Sequence, residues 1–434
     1  MTENSAMSVA IIGGGLAGLA TAAYLGRAGH RVTLFERSET LGGRGGTTEH
    51  NGYLHNFGPH ALYRGSTGLE VLRELGISFT GGTPDVAGVA IRRGRPYTLP
   101  TGARTMLATR LFGVRARVEA GRQMLALRKI TGDDRRTVRE WLDHEFEQPA
   151  AREYIEAIIR LATYANAPEL IPVADAARQL ASAGDGVLYV DGGWRQLVRG
   201  LQDAAEAAGA EIRTGARIDA LLGVDRITGV RLAGGETFEA DAVVLAVPPG
   251  VARELAGGSA AIARMAESAV PARAACLDLG LTRLPNPRRR FGLGIDVPMY
   301  MSAHSFYAKL APEGRVLLSV AKYLPVDEPR DAARDLAELE SFLDLAQPGW
   351  RTFEEHRQYL PNMVVSSALP LPGLGIAGRP ASKVDDIDGL FLAGDWVGDG
   401  GWLTDGTLGS ARLASAAVSG WLAKKASRSL AGVS

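Results

Sequence analysis

The 434 residues carry 48 basic and 48 acidic side chains, so no net field exists to gather a nucleic acid or an acidic polymer. Hydrophobic residues make up 46% and charged residues 22%, which excludes a disordered chain and suits a globular protein of two subdomains. The single cysteine, Cys276, can close no internal disulfide and build no thiolate metal site; no metal is expected, and a reducing cytoplasm is the simplest compartment.

Residues 1–8 are polar and lack a basic n-region before a cleavable apolar stretch, so no signal peptide is expected. The apolar run from Val9 to Leu25 is interrupted by Gly13, Gly14, Gly15 and Gly18, and strand, turn and helix explain it better than a membrane span. Val9 to Ile12 reads as a strand and Leu19 to Ala28 as a helix closed by Gly29. Arg31 to Glu36 then resumes a strand that ends in an acid.

The turn follows G-x-G-x-x-G. Gly13 permits the tight turn, Gly15 lets backbone approach a pyrophosphate, and Gly18 lets helix and strand pack closely, with Leu16 and Ala17 counted in the same cradle. Glu36, followed by Arg37, stands where a carboxylate accepts from ribose hydroxyls. An acid there disfavours a 2′-phosphate, which leaves NAD or FAD.

Downstream, Glu36-Arg-Ser-Glu-Thr-Leu-Gly-Gly-Arg44 resembles the second glycine motif of the flavin amine oxidase and phytoene desaturase superfamily. The resemblance implies FAD, with Gly42, Gly43 and Arg44 beside its pyrophosphate and ribityl chain. A guanidinium there would form charge-assisted bonds in a site otherwise made of amides. Phe57-Gly-Pro-His60 is similar to the family's segment near the isoalloxazine, so Gly58 and Pro59 join the site and His60 becomes the first acid or base candidate. His304 is the second.

Between Ala103 and Lys129, Leu107, Leu111, Val114, Val118 and Leu125 share a helical stripe flanked by arginines. Two readings compete here. The favoured one is a substrate-domain helix with snorkelling arginines; the other is a helix lying on a membrane surface.

The resemblance returns at Asp191-Gly-Gly-Trp194, where the chain re-enters the FAD domain, and implies a backbone contact from Ile218 to the adenine edge. Residues 238–249 look like the family's strand ending in A-x-P-P, which brings in Ala246. Gly389 to Asp395 resembles its last FAD motif, with Gly394 at the turn and Asp395 accepting from ribityl hydroxyls. Residues 405–413 should begin a helix whose free amides, around Thr407 and Leu408, meet the flavin pyrimidine edge.

The fold class that follows is α/β: a discontinuous Rossmann-type FAD-binding domain with a doubly wound parallel sheet (1–67, 191–249 and 385–434), and an inserted mixed α+β substrate domain (68–190 and 250–384). FAD should be non-covalent, because Cys276 lies in a strand-like stretch of the other domain. Lys309 and Lys322 fall in no alignable motif, so no catalytic lysine is assigned. Trp194, Trp396, Trp402, Tyr300, Phe306 and Tyr323 are candidates for an aromatic cage. The resemblance implies an oxidase, dehydrogenase or desaturase acting on a small or lipophilic molecule. A flavin-dependent isomerase and a non-catalytic flavin-binding protein are the alternatives, and the oligomeric state is left open.

Overall fold

The computed structural model of the chain describes residues 7–85, 88–132 and 134–431. Residues 1–6 and 432–434, included in the expected FAD domain, lie outside it. The first apolar run folds as the strand Ser8–Ile12, central in a five-stranded sheet ordered 211–213, 31–35, 8–12, 242–245, 390–392, with every pairing parallel. All residues of Ser8–Ile12 and Ala242–Leu245 are buried. A strand covered on both faces needs apolar residues at every position, which is why these stretches read as unbroken runs.

The two faces of the sheet are covered differently. Val9, Ile11, Val32, Leu34 and Val244 pack on the helices Leu16–Arg27, Arg195–Ala207 and Leu403–Ala431. Ala10, Ile12, Phe35, Val243 and Leu245 point the other way. They meet Ile218 and Val230 of a three-stranded antiparallel sheet, together with Ala252 and Ile262 of the helices Pro249–Leu255 and Ala260–Ser268.

Two further segments also pack on the parallel sheet. The helix Thr67–Glu74 is capped by Ser66, whose side chain accepts from the Leu69 amide, and it buries Leu69, Val71 and Leu72 in the core of the parallel sheet. Leu75 and Ile77 join the same core. Ala252, Ala256 and Ile262 likewise belong to that sheet's other face.

The second body is a seven-stranded sheet ordered 354–366, 272–281, 316–324, 299–302, 291–294, 88–92, 95–98. Only the pairing of Phe291–Gly294 with Gly88–Arg92 is parallel. The helix Ala332–Ala346 covers one face, and Val114–Leu127, Val138–Glu145, Pro149–Thr163 and Val173–Gly184 cover the other. On Val316–Leu324 the strand period of two sends Lys322 towards Ala332–Ala346, where Asp335 and Glu338 each lie 2.6 Å away. Tyr323 points to the opposite face.

The arginine-rich segment belongs to the second body, and its apolar stripe faces outward. It forms two helices, Ala103–Ala108 and Val114–Leu127, and residues 109–113 between them insert Leu111 and Phe112 into the core. Leu107, Val114, Val118 and Leu125 are 72%, 73%, 67% and 61% exposed. The buried face of the second helix is instead Ala116, Glu119, Ala120, Gln123 and Leu127, where small residues allow close approach of a neighbouring helix. No helix among the described residues is long and apolar enough to cross a membrane.

Candidate functional site

Gly13 ends the first strand with φ +109° and donates its amide to the Phe35 carbonyl at 2.8 Å. A Cβ at Gly13 would come 2.4 Å from the Ala246 oxygen, and one at Gly18 would come 1.9 Å from the Gly13 oxygen. Both glycines are required by the protein's own packing. Gly15 is not: its φ is −79°, and the nearest atom to an added Cβ is the Gly42 oxygen at 3.9 Å. A Cβ at Gly43 would meet only Gly15 Cα, at 3.8 Å. The two glycines thus border open space. The helix Leu16–Arg27 starts beside that space with no side-chain cap and no acid in its first turn, which leaves its positive end uncompensated.

Glu36 closes the neighbouring strand. Its Oε2 accepts the Gly14 amide at 2.7 Å and its Oε1 the Ser38 amide at 2.8 Å, so this acid also fastens the glycine turn. Gly215 donates to the Ser38 carbonyl and Ala216 to that of Glu36, which brings Ile218 to the same end of the sheet. The Ile218 side chain is buried in the core with Phe35, and Arg37 is exposed nearby.

Arg44 and Asp395 meet in a two-point ion pair, Nη2–Oδ1 at 2.8 Å and Nη1–Oδ2 at 3.0 Å. Asp395 is only 2% exposed, and its Oδ2 also accepts the Ser367 amide at 2.8 Å. Burial by itself would raise the carboxyl pKa, but the Arg44 charge and these hydrogen bonds hold it at about 2. From the sequence the two are expected as separate cofactor ligands. The structure makes them partners, because a carboxylate so deeply buried needs a compensating cation. Arg44 stays 41% exposed and retains N–H groups for a further acceptor.

The Ala246 amide donates to the Ile12 carbonyl, Ala393 donates to that of Leu245, and the Gly394 amide donates to the Ser410 hydroxyl. Gly13, Ala246 and Gly394 thus stand side by side at the carboxyl ends of three adjacent strands, where open α/β sheets take their ligands. One expectation is corrected nearby. The last helix begins at Leu403, so Thr407 lies in its second turn with its hydroxyl on the Leu403 carbonyl, and Leu408 is fully buried. The amides without an intrahelical acceptor are those of the first turn, at Leu403 and Thr404.

Gly58, with φ +89°, lies under the second sheet: an added Cβ would meet the Met363 side chain at 2.4 Å and Cys276 Sγ at 3.4 Å. Pro59 beside it is buried. Cys276 is on the other sheet, as expected, yet it packs against the loop expected near the flavin. Burial pushes its pKa well up, so it stays a thiol.

His60 Nδ1–H donates to the Gly58 carbonyl at 2.7 Å, and its ring lies 4.4 Å from that of Trp194. Burial, reinforced by the Arg44 charge and only partly opposed by backbone hydrogen bonds, lowers its pKa to about 4. His304 packs 4.1 Å from the Tyr189 ring, and burial with the nearby His60 brings it to about 3. The two candidates are therefore neighbours, but both are neutral near pH 7. Neither can act there as a general acid, and each is a weak base.

Of the cage candidates, Tyr300 and Tyr323 stack at 5.8 Å, with Tyr164 edge-on to both at 6.0 Å. Burial raises the pKa values of all three, so the cluster is uncharged. Trp402 shares their core. Trp396 donates to the Val247 carbonyl within the parallel-sheet core, and Phe306 sits partly exposed under Arg290.

Sequence reasoning missed Tyr164, which caps Pro149–Thr163 at φ +53°, and also Ser367 and Asp278. Asp278 shares a strand face with Cys276. Burial raises its pKa to about 7, opposed in part by Ser319 and Gln358. A lone acid in the apolar strand Ala272–Leu281 was the available signal.

The sequence family described as flavin containing amine oxidoreductase matches residues 16–419. The chain belongs to this family. The phytoene desaturase of Cercospora nicotianae is 25% identical over 279 residues, 54% of this chain and 44% of that protein. The Mycobacterium tuberculosis protein AofH, named as a flavin-containing monoamine oxidase, is 32% identical over 264 residues, 56% of this chain and 57% of that one. The chain spans about half the length of the curated relatives it matches. An oxidoreductase from Methanosarcina mazei superposes with a TM-score of 0.76 at 19% identity, covering 94% of this chain and 99% of that one. Putrescine oxidase bound to putrescine gives 0.72 at 18% identity, covering 95% and 98%. Reduced UDP-galactopyranose mutase gives 0.72 at 14% identity, covering 95% and 96%. At such identities these structures share the fold alone.

The cofactor of a member of this family is a flavin, and the site suits FAD. Gly15 and Gly43 border space that a Cβ would fill, beside an uncapped helix end and a partly exposed guanidinium, which matches the needs of a diphosphate.

Proposed function

We propose that this chain is an FAD-dependent oxidoreductase that removes a hydride from a C–N or C–C unit of a small or lipophilic organic substrate. One juxtaposition carries the reading: the loop of Gly58, Pro59 and His60 has Arg44 and the glycine cradle on one side and the second sheet, with its uncharged tyrosine cluster, on the other. Leu16 and Ala17 would offer amides to the diphosphate, Glu36 would accept from the ribose, and Arg44 would add charge compensation. Ile218 would touch the adenine edge through its backbone, and Asp395 would meet the ribityl hydroxyls with the lone pairs that Arg44 leaves free. Bound there, FAD would supply the hydride acceptor.

Tyr164, Tyr300 and Tyr323 would orient the substrate and exclude water. His60, neutral and tied to the Gly58 carbonyl, would position the loop instead of delivering a proton.

Anaerobic titration of the FAD-loaded protein tests this, with amines in one arm and carotenoid-type polyenes in the other, following the classes its two relatives are named for. Bleaching of the flavin with one equivalent of oxidised product supports the proposal. Conversion only after prior reduction, with no net oxidation, would instead indicate an isomerase. FAD binding with neither outcome across both arms would leave a non-catalytic flavin protein.

A further inference from the structure

We propose that the face bearing Leu107, Val114, Val118 and Leu125 docks this protein on an anionic lipid surface. These four account for half of the eight large hydrophobic side chains exposed among the described residues, and they fall within one stretch of chain. On the helix Val114–Leu127, the side chains of Val114, Val118 and Leu125 span only about 40° of arc, opposite the buried face. The stripe is therefore spare: the helix already buries Ala116, Ala120 and Leu127, and Leu111 and Phe112 anchor the preceding turn.

Charge identifies the occupant. Arg115 and Arg122 flank the stripe on its own helix, Arg104, Arg110, Arg128 and Lys129 are exposed in the adjoining chain, and none of the six forms an ion pair among the described residues. The one acid between 103 and 129, Glu119, is 8% exposed and turned inward, accepting the Glu147 and Gln148 amides at 3.0 Å. Six unpaired cations in the segment that carries the apolar ridge, with no exposed acid among them, match a layer of anionic headgroups over acyl chains. Arginine heads can reach the phosphates while the Val and Leu side chains enter below them. A twofold pairing of this face with itself would set the same cations against one another, which argues against a second copy as the occupant.

The test is flotation of the FAD-loaded full chain with phosphatidylcholine vesicles, with and without phosphatidylglycerol. The expected result is binding to the anionic vesicles only, weakened at least about tenfold by high salt. A triple variant Leu107→Ser, Val118→Ser, Leu125→Ser and a second, Arg110→Glu, Arg115→Glu, Arg122→Glu, should each lose at least about tenfold in binding with flavin content unchanged. Because Cys276 is buried, a Val118→Cys variant can also be labelled at that position with an environment-sensitive dye, which should shift to the blue with anionic vesicles alone. The proposal is overturned by absence of binding to anionic vesicles, or by an unshifted dye. It is equally overturned if the serine variant binds like the parent, or if the lipid-free protein forms a dimer that this variant dissolves.

Discussion

Arg44 and Asp395, 351 positions apart, are joined by hydrogen bonds of 2.8 and 3.0 Å that tie the second glycine turn to the end of the last parallel strand. The pair joins segments far apart in the chain, so its loss should be felt in folding, and by the proposed role of both residues in flavin binding as well.

Replacing Arg44 by Ala leaves Asp395 buried without its cation. The expected cost to the FAD-free protein is about 2–3 kcal/mol, below the usual 3–5 for a buried pair because Arg44 is partly exposed. The Asp395 pKa, about 2, lies below its unfolded value of about 3.9, so its contribution is present above pH ~4 and lost as pH falls towards 2. Urea unfolding across that acid range should show a shallower pH dependence in Arg44→Ala.

Gly15→Ala and Gly18→Ala should separate cofactor space from packing space. The first should leave FAD-free stability nearly unchanged and weaken FAD binding sharply, since its Cβ meets no protein atom closer than 3.9 Å. Gly18→Ala should destabilise the protein without FAD by roughly 1–3 kcal/mol, because its Cβ would collide with the Gly13 oxygen. Thermal melts and flavin titrations of the two variants give the comparison; equal FAD affinity in Gly15→Ala and the parent would refute the cradle.

Glu36→Ala should lower both FAD affinity and FAD-free stability, the latter by about 1–3 kcal/mol, because two amides lose a charged acceptor. An affinity loss with an unchanged melt would mean that the Gly14 bond contributes nothing to the fold.

His60 and His304 have folded pKa values of about 4 and 3, below the unfolded value of about 6.5. Their neutral forms therefore favour folding fully above pH ~6.5, and stability should fall as pH drops through 4 to 3. His60→Gln should remove part of that loss and leave no missing limb near pH 7 in the rate profile. A limb between pH 6 and 7 that disappears in the variant would show that the imidazole titrates during turnover.

Asp278 has the opposite sign. With a folded pKa of about 7, raised by burial, its contribution is present below pH ~3.9 and lost as pH rises through 7. Asp278→Asn should therefore gain stability relative to the parent as pH rises from 5 to 8, read by melts across that range.

The sequence by itself determined the flavin family and the glycine turn of the parallel sheet. The turn of Gly13 to Gly18 and the acid Glu36 are written in residue type and short spacing, and the resemblance carried by Gly42 to Arg44 and Gly394-Asp395 pointed to the flavin. Strand period and glycine position also foretold the parallel sheet. Only the tertiary structure decided what lies opposite each motif. It paired Arg44 with Asp395, set Cys276 under Gly58, made neighbours of His60 and His304, and depressed both of their pKa values, since desolvation depends on atoms distant in the chain. It also turned the stripe of Val114, Val118 and Leu125 outward. Periodicity shows that a helix has an apolar face and cannot say which face finds the core; here Ala116 and Ala120 offered the closer packing.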